Sequence, residues 1–233
     1  MTQPPPAGTG FRHFHEQLDE LKKRLLDMAT RAEELIDLAV EALSQRSASK
    51  AEDVVRGDRE LDALEVEIEQ RGIALLALQQ PMARDLRFII SAIKISSDLE
   101  RVGDHAVNIA QATMRLHAGD TTLVPATQIE DMARRARAML RDALDAFIRA
   151  DGALGRDVCQ RDDEVDALQE AIFRVLLTHM MEAPATISSA LQLLLVSRNI
   201  ERVADLATNI GEDAVYLAEG KQIKHHFEDT GTS

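Results

Sequence analysis

Aromatic side chains are scarce in this chain of 233 residues: they make up 3% of it, with one Tyr and no Trp. Glycine and proline are also few, at 11 and 6. Sheets draw on aromatic and β-branched residues, and turn-rich folds on Gly and Pro, so both are disfavoured against packed helices. A single cysteine, Cys159, excludes an internal disulfide and is expected to act as a small buried hydrophobe. No apolar run approaches the roughly 20 residues of a membrane-spanning helix; Leu191 to Val196 is typical of the longest. Positive charge is short too, with 27 Lys and Arg against 40 Asp and Glu, a net of -13. That balance repels phosphate backbones, and without a basic patch no nucleic-acid partner is expected. The first ten residues carry neither the basic nor the apolar part of a signal peptide, so the expected location is cytoplasmic.

What the chain does contain, it contains twice. Glu100-Arg-Val-Gly-Asp104-His-Ala-Val-Asn108-Ile-Ala110 returns as Glu201-Arg-Val-Ala-Asp205-Leu-Ala-Thr-Asn209-Ile-Gly211, with 7 of 11 positions identical at a shift of 101. Asp58-Arg-Glu60-Leu-Asp62-Ala-Leu64 returns as Asp162-Asp-Glu164-Val-Asp166-Ala-Leu168 at a shift of 104, and Pro81 matches Pro184. The protein is two copies of one unit.

Each copy reads as three helices. Phe14, Leu18, Leu21, Leu25, Met28, Ala32, Leu35 and Ala39 recur at three and four residues, predicting a helix over 11–46. Further helices are predicted at 51–80, 84–116, 126–150, 155–182 and 185–219, with Pro81 ending the second and Gly220 the last. The fold class is all-α: two tandem antiparallel three-helix bundles. The expected organisation is a disordered segment 1–10, a first repeat 11–118, a second repeat 122–220, and a polar tail 221–233 whose His225 and His226 are solvated. The loop His117 to Pro125 divides the repeats.

The acidic residues are placed as deliberately as the apolar ones. Asp58 and Asp62, Glu100 and Asp104, Asp162 and Asp166, and Glu201 and Asp205 are all four apart, so each pair lies on one helix side about a turn apart. Glu65 extends the first column, and each column borders the apolar stripe of its helix. Where adjacent helices pack, four carboxylates converge at the rim of each bundle, a donor set for a hard cation such as Fe, Mn or Mg. For any one such pair taken alone, a solvated helix face is the ordinary explanation. The duplication favours the cation, although it also suits packing or a docking surface. Like charges at this spacing cost an isolated helix about 0.2–0.5 kcal/mol. Asn108 and Asn209 are additional candidate ligands through their amide oxygens, or hydrogen-bond across helices. Arg101 and Arg202 suit a partner surface or an ion pair with a neighbouring acid.

Catalytic signatures are missing. A ferritin-like di-iron oxidase needs Glu-x-x-His on two helices, but Gly103 follows Glu100 and Ala204 follows Glu201 at that spacing. No phosphate loop, dinucleotide fingerprint, nucleophile elbow or Cys/His zinc pattern occurs. The chain is not expected to be an enzyme.

With these residues laid out, the chain resembles the PhoU family of phosphate-transport-system regulatory proteins over about residues 11–220. The resemblance rests on Phe14-x3-Leu18-x2-Leu21, Gln80-Pro81-Met-Ala-Arg84-Asp85-Leu86-Arg87, the two signatures around Glu100 and Glu201, and the ending Tyr216-Leu-Ala-Glu-Gly220. It implies paired E(D)xxxD motifs holding metal clusters, here Asp58, Asp62, Glu100 and Asp104, and Asp162, Asp166, Glu201 and Asp205. It implies a negative regulator of phosphate uptake and of the phosphate-starvation response. Such a protein is a homodimer linking the ATPase subunit of the phosphate ABC transporter to the phosphate-sensing histidine kinase, and reaches the membrane only through them. The alternative is a metal-storage or metal-sensing protein. Ala204 and Leu206 replace Gly103 and His105, and Gln169 stands where Glu65 stands, so the second site is expected to bind metal more weakly.

Overall fold

A computed structural model of the chain describes residues 9–79, 81–116 and 126–223. It consists of α1 (Thr9–Gln45), α2 (Ala48–Gln79), α3 (Ala83–Arg115), α4 (Ala126–Arg149), α5 (Gly152–Glu182) and α6 (Ile187–Glu219), with a 3-10 turn at Pro184–Thr186. Helix α1 is described from Thr9, so Thr9 and Gly10 of the expected segment 1–10 fall within it. Residues 1–8, the dividing loop 117–125, and His225 and His226 lie outside the described residues.

The connections repeat as faithfully as the helices. Arg46 (φ 50) and Ala150 (φ 53), a shift of 104 apart, adopt the left-handed conformation that ends α1 and α4. The next residue caps the following helix: Ser47 Oγ accepts from the Lys50 N–H at 3.3 Å, and Asp151 Oδ1 accepts from Ala153 and Leu154 at 3.1 and 3.0 Å. The break at 47–50 is therefore tighter than its sequence implies, because Ser47 acts as a cap and α2 begins at once. Gly220 (φ 72) closes α6, its N–H reaching the Tyr216 carbonyl at 2.8 Å.

The two bundles do not stand apart. Helices α3 and α6 pack side by side, as do α1 and α4, and the buried apolar residues of both repeats form one continuous core. Along the seam α3 and α6 are antiparallel: His105 meets Asn199, Lys94 meets Asp213 at 3.6 Å, and Arg87 approaches Gly220. Phe88 of α3 stacks on Phe147 of α4, centroids 5.1 Å apart, and Arg137 of α4 pairs with Asp37 of α1. The repeats are thus joined by apolar, aromatic and ionic contacts together.

Candidate functional site

Two acidic troughs sit on equivalent faces of the repeats. The first is made by Asp58, Asp62 and Glu65 on α2 and by Glu100 and Asp104 on α3. Asp58, Glu65 and Glu100 are half-buried, whereas Asp62 and Asp104 are exposed. Helices α2 and α3 approach so closely because Gly103 has no side chain: a Cβ there would lie 2.5 Å from both Asp58 Oδ1 and Leu61 Cδ1. The glycine thus admits the carboxylate to the space between the helices.

Burial and crowding hold these groups away from their ordinary charge. Glu100 is pushed up to about 7, first by burial and then by Asp104, Glu65, Asp62 and Asp58. Asp58 is raised to about 6 by burial, Asp62 and Asp104. In the second trough Asp162 is raised to about 6 by burial, Asp166, Asp205 and Glu201, and Asp166 and Glu201 move in the same direction. All eight expected carboxylates are thereby gathered four to a repeat. Two matching atoms, Asp58 Oδ1 and Asp162 Oδ1, are buried without a hydrogen-bond partner. An orphaned carboxylate oxygen at the same place in both copies fits a cation ligand, since such an atom is otherwise costly to bury.

The troughs are not finished cages. Among the described residues no three His, Cys, Asp or Glu side chains close around one point as metal ligands do. Asn209 joins the second trough, lining a cavity with Asp162 and Asp205, whereas Asn108 is exposed on α3. Glu212 lines that cavity too, and Asp163 adds to the charge on Asp162 and Asp166. Sequence reading passed over both. Glu212 follows Asn209 by three residues on the same helical face, but its counterpart in the first copy is Gln111, so the repeat did not flag it.

The two troughs differ in their cations. Arg202 Nη1 donates to Asp205 Oδ2 at 2.8 Å, and its Nε lies 3.6 Å from Glu201. Arg198 also acts on Glu201, and the matching residue of α3 is Ser97. In the first copy Arg101 instead turns toward Asp98, at 3.7 Å, because position 98 is acidic where α6 has Asn199. Asn199 serves the seam: its Oδ1 accepts from His105 Nδ1 at 2.9 Å, which fixes the proton on that nitrogen. Cys159 is half-buried, its thiol pushed up to about 11 by burial, Glu212 and Asp162, which leaves it inert at neutral pH.

Comparison with known proteins agrees with this architecture. The PhoU domain family matches twice, at residues 25–113 and 129–214. The chain belongs to the PhoU family. It is 42% identical over 217 residues to the phosphate-specific transport system accessory protein PhoU homolog of Aquifex aeolicus, covering 93% of this chain and 98% of that one. The homolog of that name from Clostridium acetobutylicum is 39% identical, over 90% and 96% of the two chains. The crystal structure of PhoU from Pseudomonas aeruginosa superposes with a TM-score of 0.85 at 34% identity, over 89% of this chain and all of that one. The phosphate transport system regulatory protein PhoU of Streptococcus pneumoniae gives 0.83 at 31%, over 90% and 98%. The two family matches fall on the two bundles, with the troughs inside them.

The raised carboxylates set a pH dependence. Their folded values lie above the ordinary carboxylate range, so protonation favours the folded state, and this contribution is lost as pH rises through about 6 and 7. Glu33, raised by burial, adds the same sign. Glu41, Asp131 and Glu219 are lowered by Lys50, Arg135 and Arg156 and act only in stronger acid. Chelator-treated protein is therefore expected to melt at a higher temperature at pH 5.5 than at pH 8, and Glu100→Gln to flatten that slope. Melting that stays level or rises from pH 5.5 to pH 8 would show that these carboxylates are not strained in the folded protein.

Proposed function

We propose that this protein is a negative regulator of phosphate uptake and of the phosphate-starvation response, working as a metal-binding adaptor rather than an enzyme. The observation that carries the reading is that both bundles match the PhoU family and nearly the whole chain aligns with relatives named as phosphate-specific transport accessory proteins. Its partners are the ATPase subunit of the phosphate ABC transporter and the phosphate-sensing histidine kinase. It meets them from the cytoplasm as a homodimer. No helix among the described residues is long and apolar enough to cross a membrane; contact with the bilayer is assigned to these partners.

The geometry suits docking. Phe173, Leu191 and Leu195 are exposed on α5 and α6 beside Arg198, lining an apolar groove of about 490 Å³ on a rigid helical face. Apolar anchors beside a positive group are what a partner helix requires. Metal belongs to the same reading. Asp58, Asp62, Glu100 and Asp104 would hold one centre, and Asp162, Asp166, Glu201 and Asp205 the other, with Fe, Mn or Mg as the ion. The bound cation supplies positive charge that relieves the crowded carboxylates and braces α2 against α3 and α5 against α6. The orphaned oxygens of Asp58 and Asp162 support this assignment.

The test is genetic. Deleting the gene is expected to leave phosphate-starvation genes expressed in phosphate-rich medium, and the intact gene to restore repression. If expression in the deletion strain still falls normally when phosphate is added, the regulatory reading is wrong.

A further inference from the structure

Exposed apolar side chains are concentrated rather than scattered. On the second repeat Phe173, Leu177 and Met181 recur every four residues along α5, and Ile187, Leu191 and Leu195 along α6, each 42–78% exposed. The first repeat carries a shorter patch, Val66 and Ile73 on α2 with Leu86 and Ile90 on α3. Ile73, Leu86 and Ile90 are the counterparts of Leu177, Ile187 and Leu191, so the patches hold equivalent places in the two bundles. Contiguous apolar surface of this kind marks a contact site. Around it the repeats have diverged. Phe173, Leu195 and Arg198 stand where the first copy has Glu69, Lys94 and Ser97. The second patch is thereby a groove with a cation at its rim, and the first a ridge on α2 in which the exposed Glu69 lies between Val66 and Ile73. Arg198 acts on Glu201 at a distance, but among the described residues neither it nor Glu69 forms an ion pair. Gln192 lines the groove with its Oε1 buried and without a hydrogen-bond partner, which is costly unless an occupant supplies one.

We propose that the α5/α6 groove receives the α2 ridge of a second copy of this chain, with Arg198 against Glu69, in a two-fold dimer where each copy gives its groove and its ridge. The proposal rests on the homodimer reading and assigns its interface. A groove of this kind takes a helix with apolar anchors about two turns apart, and its cation calls for an acid between them. Val66, Glu69 and Ile73 are that pattern, and Gln70 beside them is exposed and carries the amide that Gln192 lacks as a partner. Helices α3 and α6 are antiparallel, so groove and ridge lie toward opposite ends of the molecule: Arg87, beside Leu86, approaches Gly220 at the end of α6, whereas Ile187 opens α6 at the other end. A second copy turned end for end therefore sets both grooves on both ridges, and the contact closes at two chains. Two chains of net charge -13 repel at long range, but at about 0.15 M salt that repulsion is screened within about 8 Å. Apolar burial and the two pairs of Arg198 with Glu69 then decide the contact.

Sedimentation equilibrium of the full chain at that salt tests this. A reversible equilibrium between monomer and dimer is expected. Leu191→Asp is expected to abolish the dimer, and Arg198→Glu or Glu69→Arg alone to weaken it about tenfold or more, since like charges then meet twice across the interface. Arg198→Glu combined with Glu69→Arg is expected to restore it, a rescue that no other interface would show. All three positions are exposed, so the variants should fold, and helix content by circular dichroism checks that they do. A dimer undiminished in Leu191→Asp and Arg198→Glu overturns the assignment and leaves the homodimer reading standing. A combined variant that pairs no more tightly than the single ones overturns the match of groove to ridge. A parent that stays monomeric at every concentration overturns both readings and leaves the groove to a helix of a different protein.

Discussion

Replacing Glu100 and Asp104 together by Ala is expected to reduce bound metal to what the second trough holds and, in metal-free protein, to leave stability unchanged or slightly raised. The two halves of this result have one cause. Glu100 is pushed up to about 7 by burial and by the four carboxylates Asp104, Glu65, Asp62 and Asp58, so without a cation its charge is a burden on the fold. Removing a half-buried glutamate and the exposed aspartate one turn from it, both still screened by water, relieves only about tenths of a kcal/mol. With metal the balance reverses, because an ion that binds only the folded state adds RT ln(1 + [M]/Kd), about 2.7 kcal/mol at a hundredfold excess over Kd. Added Fe, Mn or Mg should therefore raise the melting temperature of the parent and raise that of the variant less. The matching pair in the second copy, Glu201 and Asp205, already pairs with Arg202, so its replacement should change metal uptake less. A parent protein that contains no metal and whose melting ignores all three ions would leave the troughs as solvated or partner-facing surfaces, with the fold untouched.

The largest loss of stability is expected from Phe147→Ala. This ring is wholly buried on α4 and stacks on Phe88 of α3, its plane tilted by 18°. Truncation opens a cavity where the two repeats meet, and deletions of this size cost about 3–5 kcal/mol. For a chain of this size that corresponds to a fall in melting temperature on the order of 10 °C. Because one core runs through both bundles, unfolding should stay a single transition in parent and variant alike. Two separated steps, one of them unmoved by the substitution, would mean that the bundles hold together independently. Calorimetry distinguishes the outcomes by comparing the calorimetric with the van't Hoff enthalpy.

Much of this could be read without coordinates, and it shares one property: it is local. The stripe from Phe14 to Ala39, the stops at Pro81 and Gly220, and the four-residue spacing of Glu100 and Asp104 depend on helical geometry over a few turns, which a linear chain displays directly. The repeat then assigned equivalent places to both sets of carboxylates. Turn chemistry was harder to see, because Arg46-Ser47 and Ala150-Asp151 build the same bend from different residues.

The sequence by itself determined the helices, the duplication and the faces that carry the acids. Only the tertiary structure decided that α3 and α6 run antiparallel into a shared core, that Asn199 rather than Asp104 engages His105, and that Arg101 reaches a cavity of the other repeat. The apolar residues of α3 and α6, such as Val102, Ala106, Val203 and Ala207, are buried alike whichever neighbour covers them. Their spacing therefore says that a face is covered but not by what. The register of that contact joins residues about a hundred positions apart, and it is set by the shape of two completed bundles rather than by any pattern along the chain.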